Sequence, residues 1–105
     1  MKVAFVTAPP AEANGLASRA VETKVATCVN VLSGVTSHYV WRGEIQTDGE
    51  SLLIAKIPED KTEEFVERIR EWHSYECPEV ILLDIVGGNP EYIAWVEDPD
   101  SASGT

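Results

Sequence analysis

The chain has 105 residues, a hydrophobic fraction of 44% and a formal charge of −10, from 8 Lys and Arg against 18 Asp and Glu. That length makes one small domain with one core. The charge has the wrong sign for a phosphate backbone or an anionic bilayer, so neither nucleic acid nor membrane is an expected partner. A solvated acidic shell accounts for it, and adaptation to a high-salt habitat is the sharper alternative.

In chain order, Lys2–Thr7 is a short apolar run rich in β-branched and aromatic residues, a first strand stopped by Pro9-Pro10. Ala13, Leu16, Ala17, Ala20 and Val21 share one face of a helix over about 11–24, in which Gly15 costs about 1 kcal/mol relative to Ala. Ala26–Arg42 is a long extended segment with a bulge or bend at Ser33-Gly34. Gly43 and the polar stretch through Asp48-Gly49 predict a turn, and Ser51–Ile57 returns. Seventeen extended residues span roughly 55 Å, far more than a radius of gyration of about 13 Å accommodates. The hairpin therefore projects or curls. A projecting one exposes Val35, Tyr39, Val40 and Trp41 and calls for another subunit to cover them.

Asp60 and Glu63 have the spacing of a capping box before a helix over about 61–73, with Phe65, Val66, Ile69, Trp72 and His73 on one face. Glu79–Val86 is a strongly apolar strand, expected in the centre of the sheet. Gly87-Gly88 ends it, and Asn89-Pro90 starts a short last helix as N-cap and first helical residue. The order is βαββαβ plus a C-terminal helix, an α+β pattern of the ferredoxin-like kind. Residues 1–97 form the domain and 98–105 a flexible tail. The apolar runs, such as Val80–Leu83, are too short to span a bilayer. Lys2–Thr7 lacks the length and cleavage site of a secretory signal, which makes the cytoplasm the expected location.

No phosphate-binding glycine loop, nucleophile elbow or HExxH motif is present, and the two Cys and two His have no nucleophile–base spacing, so no enzyme is expected. Cys28 and Cys77 form no CxxC pair and read as buried free thiols. His73-Ser74-Tyr75-Glu76-Cys77-Pro78-Glu79 gathers imidazole, thiol and carboxylates in one loop, a donor set that suits copper or another divalent metal. Alternatively, His73 packs on the sheet and Cys77 is a small buried hydrophobe. His38 reads as a surface residue. Lys56, within an apolar strand, needs a partner across strands or subunits, unless it snorkels to solvent at a sheet edge. Trp41, Trp72, Trp95 and the tyrosines are core or interface anchors.

Taken together, Val6-Thr7-Ala8-Pro9-Pro10, Ala26-Thr27-Cys28-Val29-Asn30, Ser37-His38-Tyr39-Val40-Trp41-Arg42-Gly43, Leu53-Ile54-Ala55-Lys56, the His73–Glu79 loop and Tyr92-Ile93-Ala94-Trp95 resemble the CutA divalent-cation-tolerance family over roughly residues 3–97. The resemblance implies a ferredoxin-like subunit in a tight homotrimer, its long hairpins packed between subunits. It also implies a non-enzymatic role with copper or another divalent metal as possible ligand, none being needed for folding. Candidate metal ligands are His73, Cys28 and Glu79. Tyr39, Trp41, Glu50, Lys56, Tyr75, Tyr92 and Trp95 are the expected cleft or interface residues. The copper ligands proposed in some family members, a Cys in the first strand and two adjacent His ending the second helix, fall at Val6, Trp72 and His73, so only His73 keeps its type. Thr27 and Ser74 also depart from the family's usual Ala and Pro. A PII-like regulatory or scaffolding trimer, binding a small molecule or protein partner in subunit clefts, is the alternative.

Overall fold

The computed structural model describes residues 1–100. β1 (Lys2–Ala8), α1 (Pro10–Glu22), β2 (Cys28–Trp41), β3 (Glu44–Ile57), α2 (Thr62–Trp72), β4 (Val80–Asp84) and α3 (Pro90–Glu97) follow one another in the expected βαββαβα order. The four strands form one antiparallel sheet in the order β2-β3-β1-β4.

Strand alternation separates the two faces of this sheet. Ala4, Val6 and Ala8 of β1 pair with Ala55, Leu53 and Ser51 of β3, and all six are buried beneath the helices. Ala13, Leu16, Ala17 and Ala20 of α1 and Phe65 and Ile69 of α2 complete this core. The small alanines of α1 let its axis approach the sheet closely. Pro10 takes the first helical position, where a missing N–H costs nothing, and Lys24 in the left-handed region (φ 64°) turns the chain out of the helix. Val21, expected on the buried face, is exposed because the helix rolls its alanine stripe onto the sheet.

The other face carries Val3, Phe5, Leu52, Ile54, Ile81 and Leu83, and neither α1 nor α2 lies over it. Only α3 reaches its Cys28 end. There the Thr27 hydroxyl donates to Val96 O at 2.6 Å, and the Glu59 amide donates to the Glu97 carboxylate at 2.8 Å. Asn89 caps α3 as expected, its side chain accepting from the Glu91 amide at 3.1 Å. Beyond α3, the Asp98 amide donates to Ala94 O, and Asp100 lies 3.3 Å from the Lys24 ammonium. The rest of the tail expected over 98–105 lies outside the described residues.

Three local expectations are corrected. The polar stretch 44–49 is strand rather than turn: Trp41 pairs with Glu44, and Arg42 and Gly43 alone make the reversal, both with positive φ (51° and 82°). That is the two-residue hairpin geometry, whose twist matches the flanking strands better than a longer loop does. Asp60 does not cap α2. Pro58 opens a 3-10 turn over Glu59–Lys61, and Lys61 precedes the helix with no side-chain cap. β4 is an edge strand bonded only to β1, so its apolar run reflects two faces that need cover, not two neighbouring strands.

The hairpin projects. The subunit measures 51 × 26 × 24 Å, and its radius of gyration of 14.7 Å exceeds that of a compact domain of this length. The expected bulge lies between Leu32 and Val35, where Gly34 sits at φ +79°. β2 gains one residue there, which shifts the pleat so that Val35, Ser37, Tyr39 and Trp41 continue the face of Leu32.

Phe65 is 1% exposed at the centre of the helix–sheet core. Phe65→Ala is expected to cost about 3–5 kcal/mol, while the exposed Val21→Ala changes stability by no more than about 0.5 kcal/mol. Urea denaturation of both variants checks the order, and a larger effect at Val21 would contradict this assignment of the core.

Candidate functional site

Where the hairpin leaves the sheet, the loop after α2 folds over the end of β1 and closes a cleft of about 560 Å³. Its walls are Thr7 from β1, Ser37, His38, Tyr39 and Trp41 from β2, Glu50 from β3, and Tyr75, Glu76, Cys77 and Glu79 from the loop.

His73 ties the loop down. The ring is 7% exposed, and its Nε2 lies 2.8 Å from the Thr7 carbonyl while its Nδ1 accepts from the Tyr75 amide at 3.1 Å. A carbonyl only accepts and an amide N–H only donates, so the two bonds select the neutral tautomer protonated on Nε2. Tyr75 then packs against the imidazole with the rings tilted by 43° and their centroids 4.6 Å apart, and its phenol donates to Glu50 at 2.8 Å. Glu50 is a carboxylate 6% exposed, and this bond supplies a donor that its burial requires. Burial first, and then the Glu50 carboxylate, pushes the Tyr75 phenol well above its ordinary value. Tyr39 donates to Asp48, which raises its phenol pKa as well. Arg42 pairs with Glu76 at 2.8 Å, and its guanidinium lies 5.3 Å from the centre of the Trp41 ring.

The structure thus brings Tyr39, Trp41, Glu50, Tyr75 and Glu79 into one place and leaves the other expected residues elsewhere. Lys56 is at the opposite end of the sheet, where its ammonium donates to the Asn30 side chain across the strands. Cys28 pairs in register with Lys56, and the Tyr92 phenol beside it is raised, first by burial and then by that neighbour. Tyr92 and Trp95 pack against each other on α3, their rings tilted with centroids 5.6 Å apart. Cys28, His73 and Glu79 therefore do not share a site, and the described residues contain no group of three or more His, Cys, Asp or Glu able to hold a metal ion. Nor do the positions of the copper ligands proposed in some family members fit one here. Val6 is wholly buried and has no donor atom, Trp72 offers none, and both His73 nitrogens are engaged.

Sequence reasoning missed Thr7, Ser37, His38, Glu76 and Cys77 as cleft residues. Cys77 is exposed rather than buried, because the loop ahead of Pro78 runs over the sheet's rim instead of under it. The one available signal was the alternation along β2, which puts Ser37 on the same face as Tyr39 and Trp41.

The site sits on a ferredoxin-like α+β subunit with an extended β2–β3 hairpin, and that class is shared by a set of known proteins. The family model for the CutA1 divalent ion tolerance protein matches residues 2–99. The divalent-cation tolerance protein CutA of Thermus thermophilus is 38% identical over 92% of this chain and 95% of its own. A Thermus thermophilus structure of that protein superposes with a TM-score of 0.89 at 37% identity, covering 93% of this chain and 97% of that one. The structure described as the PII-like protein CutA from Nostoc sp. PCC 7120 in apo form gives 0.88 at 33% identity, covering 92% and 94%. The chain belongs to the CutA1 family of divalent ion tolerance proteins. It is also 42% identical to rice protein CutA 1, chloroplastic, over 91% of its own length, and spans about half of that relative, 55%.

All three tyrosines hold their protons more tightly than a free phenol of pKa 10.0. Above about pH 10 the unfolded chain releases protons that the folded one retains, so this stabilisation is complete below pH 10 and lost as pH rises further. Tyr75→Phe leaves the Glu50 carboxylate without its phenol donor, which is expected to cost about 1–2 kcal/mol near neutral pH. That gap narrows above pH 10, where the parent alone loses the Tyr75 contribution. Denaturation curves at pH 7 and pH 11 measure both, and a gap that widens with pH would contradict the pairing.

Proposed function

We propose that the protein is a non-enzymatic homotrimer acting in divalent-cation tolerance, with the cleft at the hairpin base as its ligand site. The observation that carries the oligomer is the uncovered sheet face together with the projecting hairpin. Leu32, Ile81 and Leu83 stand exposed on that face, while Val40 and Ile45, paired near the hairpin tip, are 69% and 84% exposed. Val40 and Ile45 lie on the side of the hairpin opposite Tyr39 and Trp41, so the projection bares apolar side chains on both sides. Exposed apolar surface of this kind marks an interface, and further copies of the same chain supply a matching one. Three is the number that the family resemblance implies.

Divalent cations are the class to which the relatives' printed names point, and copper is the member of it that the family resemblance implies. Glu50, Glu76, Glu79, Cys77 and His38 line the cleft, but no three such donors converge within the described residues of one subunit, so a borderline divalent ion would need a second subunit to complete its coordination. Two free cysteines agree with a reducing compartment, the cytoplasm.

A second reading, a PII-like regulatory trimer that takes a small molecule, is favoured by the aromatic lining of the cleft. Its volume lies within the range of roughly 300–1,000 Å³ typical of small-molecule sites.

Calorimetric titration with Cu(II), with Mg(II) as the control for diffuse attraction to the acidic surface, separates the two. A saturable Cu(II) site near one per subunit, lost in Cys77→Ser and without a Mg(II) counterpart, supports the metal reading. Weak and similar heats for both ions reject it. Trp41→Ala is expected to weaken assembly by about 2 kcal/mol or more, as truncation of an interface aromatic does. Sedimentation equilibrium measures this, and an unchanged association constant would remove Trp41 from the interface.

A further inference from the structure

Three side chains present aromatic surface around the cleft: Tyr39 and Trp41 from β2, and Tyr75 from the loop. The carboxylates of Glu50 and Glu79 line the same space, and among the described residues no lysine or arginine does. The nearby cation, Arg42, is committed to Glu76 and lies over Trp41, so the ring that walls the cleft already carries one cation on the protein's own account. Aromatic faces attract cations through their quadrupole, most strongly where water is excluded. A bare metal ion gains little from such walls, because it needs oxygen, nitrogen or sulfur ligands converging at about 2.0–2.6 Å. An organic cation uses both features at once, since its apolar body lies on the rings while its charge faces the carboxylates. The space, about 560 Å³, is that of a small molecule rather than an ion.

We infer that this cleft binds an organic ammonium cation, an amine or quaternary ammonium with an apolar body. Trp41, Tyr39 and Tyr75 form its cage, and Glu50 and Glu79 supply the counter-charge. Glu50 is held for that task from behind, by the Tyr75 phenol and through it by His73. Each of these groups belongs to one chain, so the inference requires no bound metal.

Calorimetry on the full chain tests it with benzyltrimethylammonium chloride, using benzyl alcohol as the uncharged counterpart and MgCl2 at matched ionic strength. The expected result is saturable binding near one per subunit, with benzyl alcohol at least about tenfold weaker and no comparable heat from MgCl2. Glu50→Gln keeps an oxygen to accept from Tyr75 and is expected to weaken binding about tenfold, with the far-ultraviolet spectrum unchanged. Glu79→Gln, at an exposed position, weakens it about threefold and keeps the test open if the Glu50 variant fails to fold. Equal binding of benzyl alcohol, an unchanged affinity in folded Glu50→Gln and Glu79→Gln, or no saturable binding of the ammonium would each overturn the inference. Saturable Cu(II) binding without ammonium binding would leave the metal reading standing and this one rejected, and the converse result would do the opposite.

Discussion

A β-sheet has two faces, and the helices α1 and α2 of this chain cover only one of them. The rest of the structure follows from that imbalance. The covered face holds Ala4, Val6, Leu53, Ala55 and Ile57 at essentially zero exposure and supplies the core. The other face carries Phe5, Leu52, Ile54, Ile81 and Leu83, with only α3 over one end and the His73–Glu79 loop at the other. Burial of apolar surface contributes roughly 25 cal/mol per Å², so a face of this composition is a strong drive to associate. The bulge at Ser33-Gly34 adds to it by carrying Val35, Tyr39 and Trp41 outward along the same face. Fold and the proposed assembly are thus linked in this molecule, because the elements that leave the core are those that would meet another copy.

The cleft is a by-product of the same geometry. A hairpin that departs from the sheet opens a gap at its base, and the loop His73–Glu79 closes one side of it. The closure is rigid because it is bonded at three successive points, from the Thr7 carbonyl to the His73 ring, from that ring to the Tyr75 amide, and from the Tyr75 phenol to Glu50. His73 therefore positions the loop rather than offering a nitrogen to a ligand. The cost of burying Glu50 is offset by a donor fixed from outside the sheet, and a carboxylate held in that way keeps its place when the cleft is empty.

Much of the fold was legible in the sequence because periodicity reports directly on what a residue faces. The alanine stripe of α1, the Phe65–Ile69 face of α2, the Asn89-Pro90 start of α3 and the Ser33-Gly34 bulge all lie where the pattern put them. The misreadings arose where one local signal serves two purposes. Asp48-Gly49 is turn chemistry in sequence, but both residues sit mid-strand because the reversal had already been made by Arg42 and Gly43. An apolar strand reads as central whether strands flank it or another surface covers it, so β4 was placed in the middle although it is an edge. The site was half legible. Trp41, Tyr39 and Tyr75 were recognised as anchors, but a run of candidate donors in one loop says nothing about convergence. His73, Cys77 and Glu79 diverge into a structural bond, an exposed thiol and a cleft wall.

Light scattering of the full chain across a wide concentration range tests the central claim, that the sheet face left bare by the helices is covered by further copies of the chain. The account predicts a mass near three times the 11.5 kDa of the subunit that persists into the low micromolar range. A mass of 11.5 kDa throughout that range would contradict it, because the apolar face and the hairpin would then stand in water with nothing to bury them.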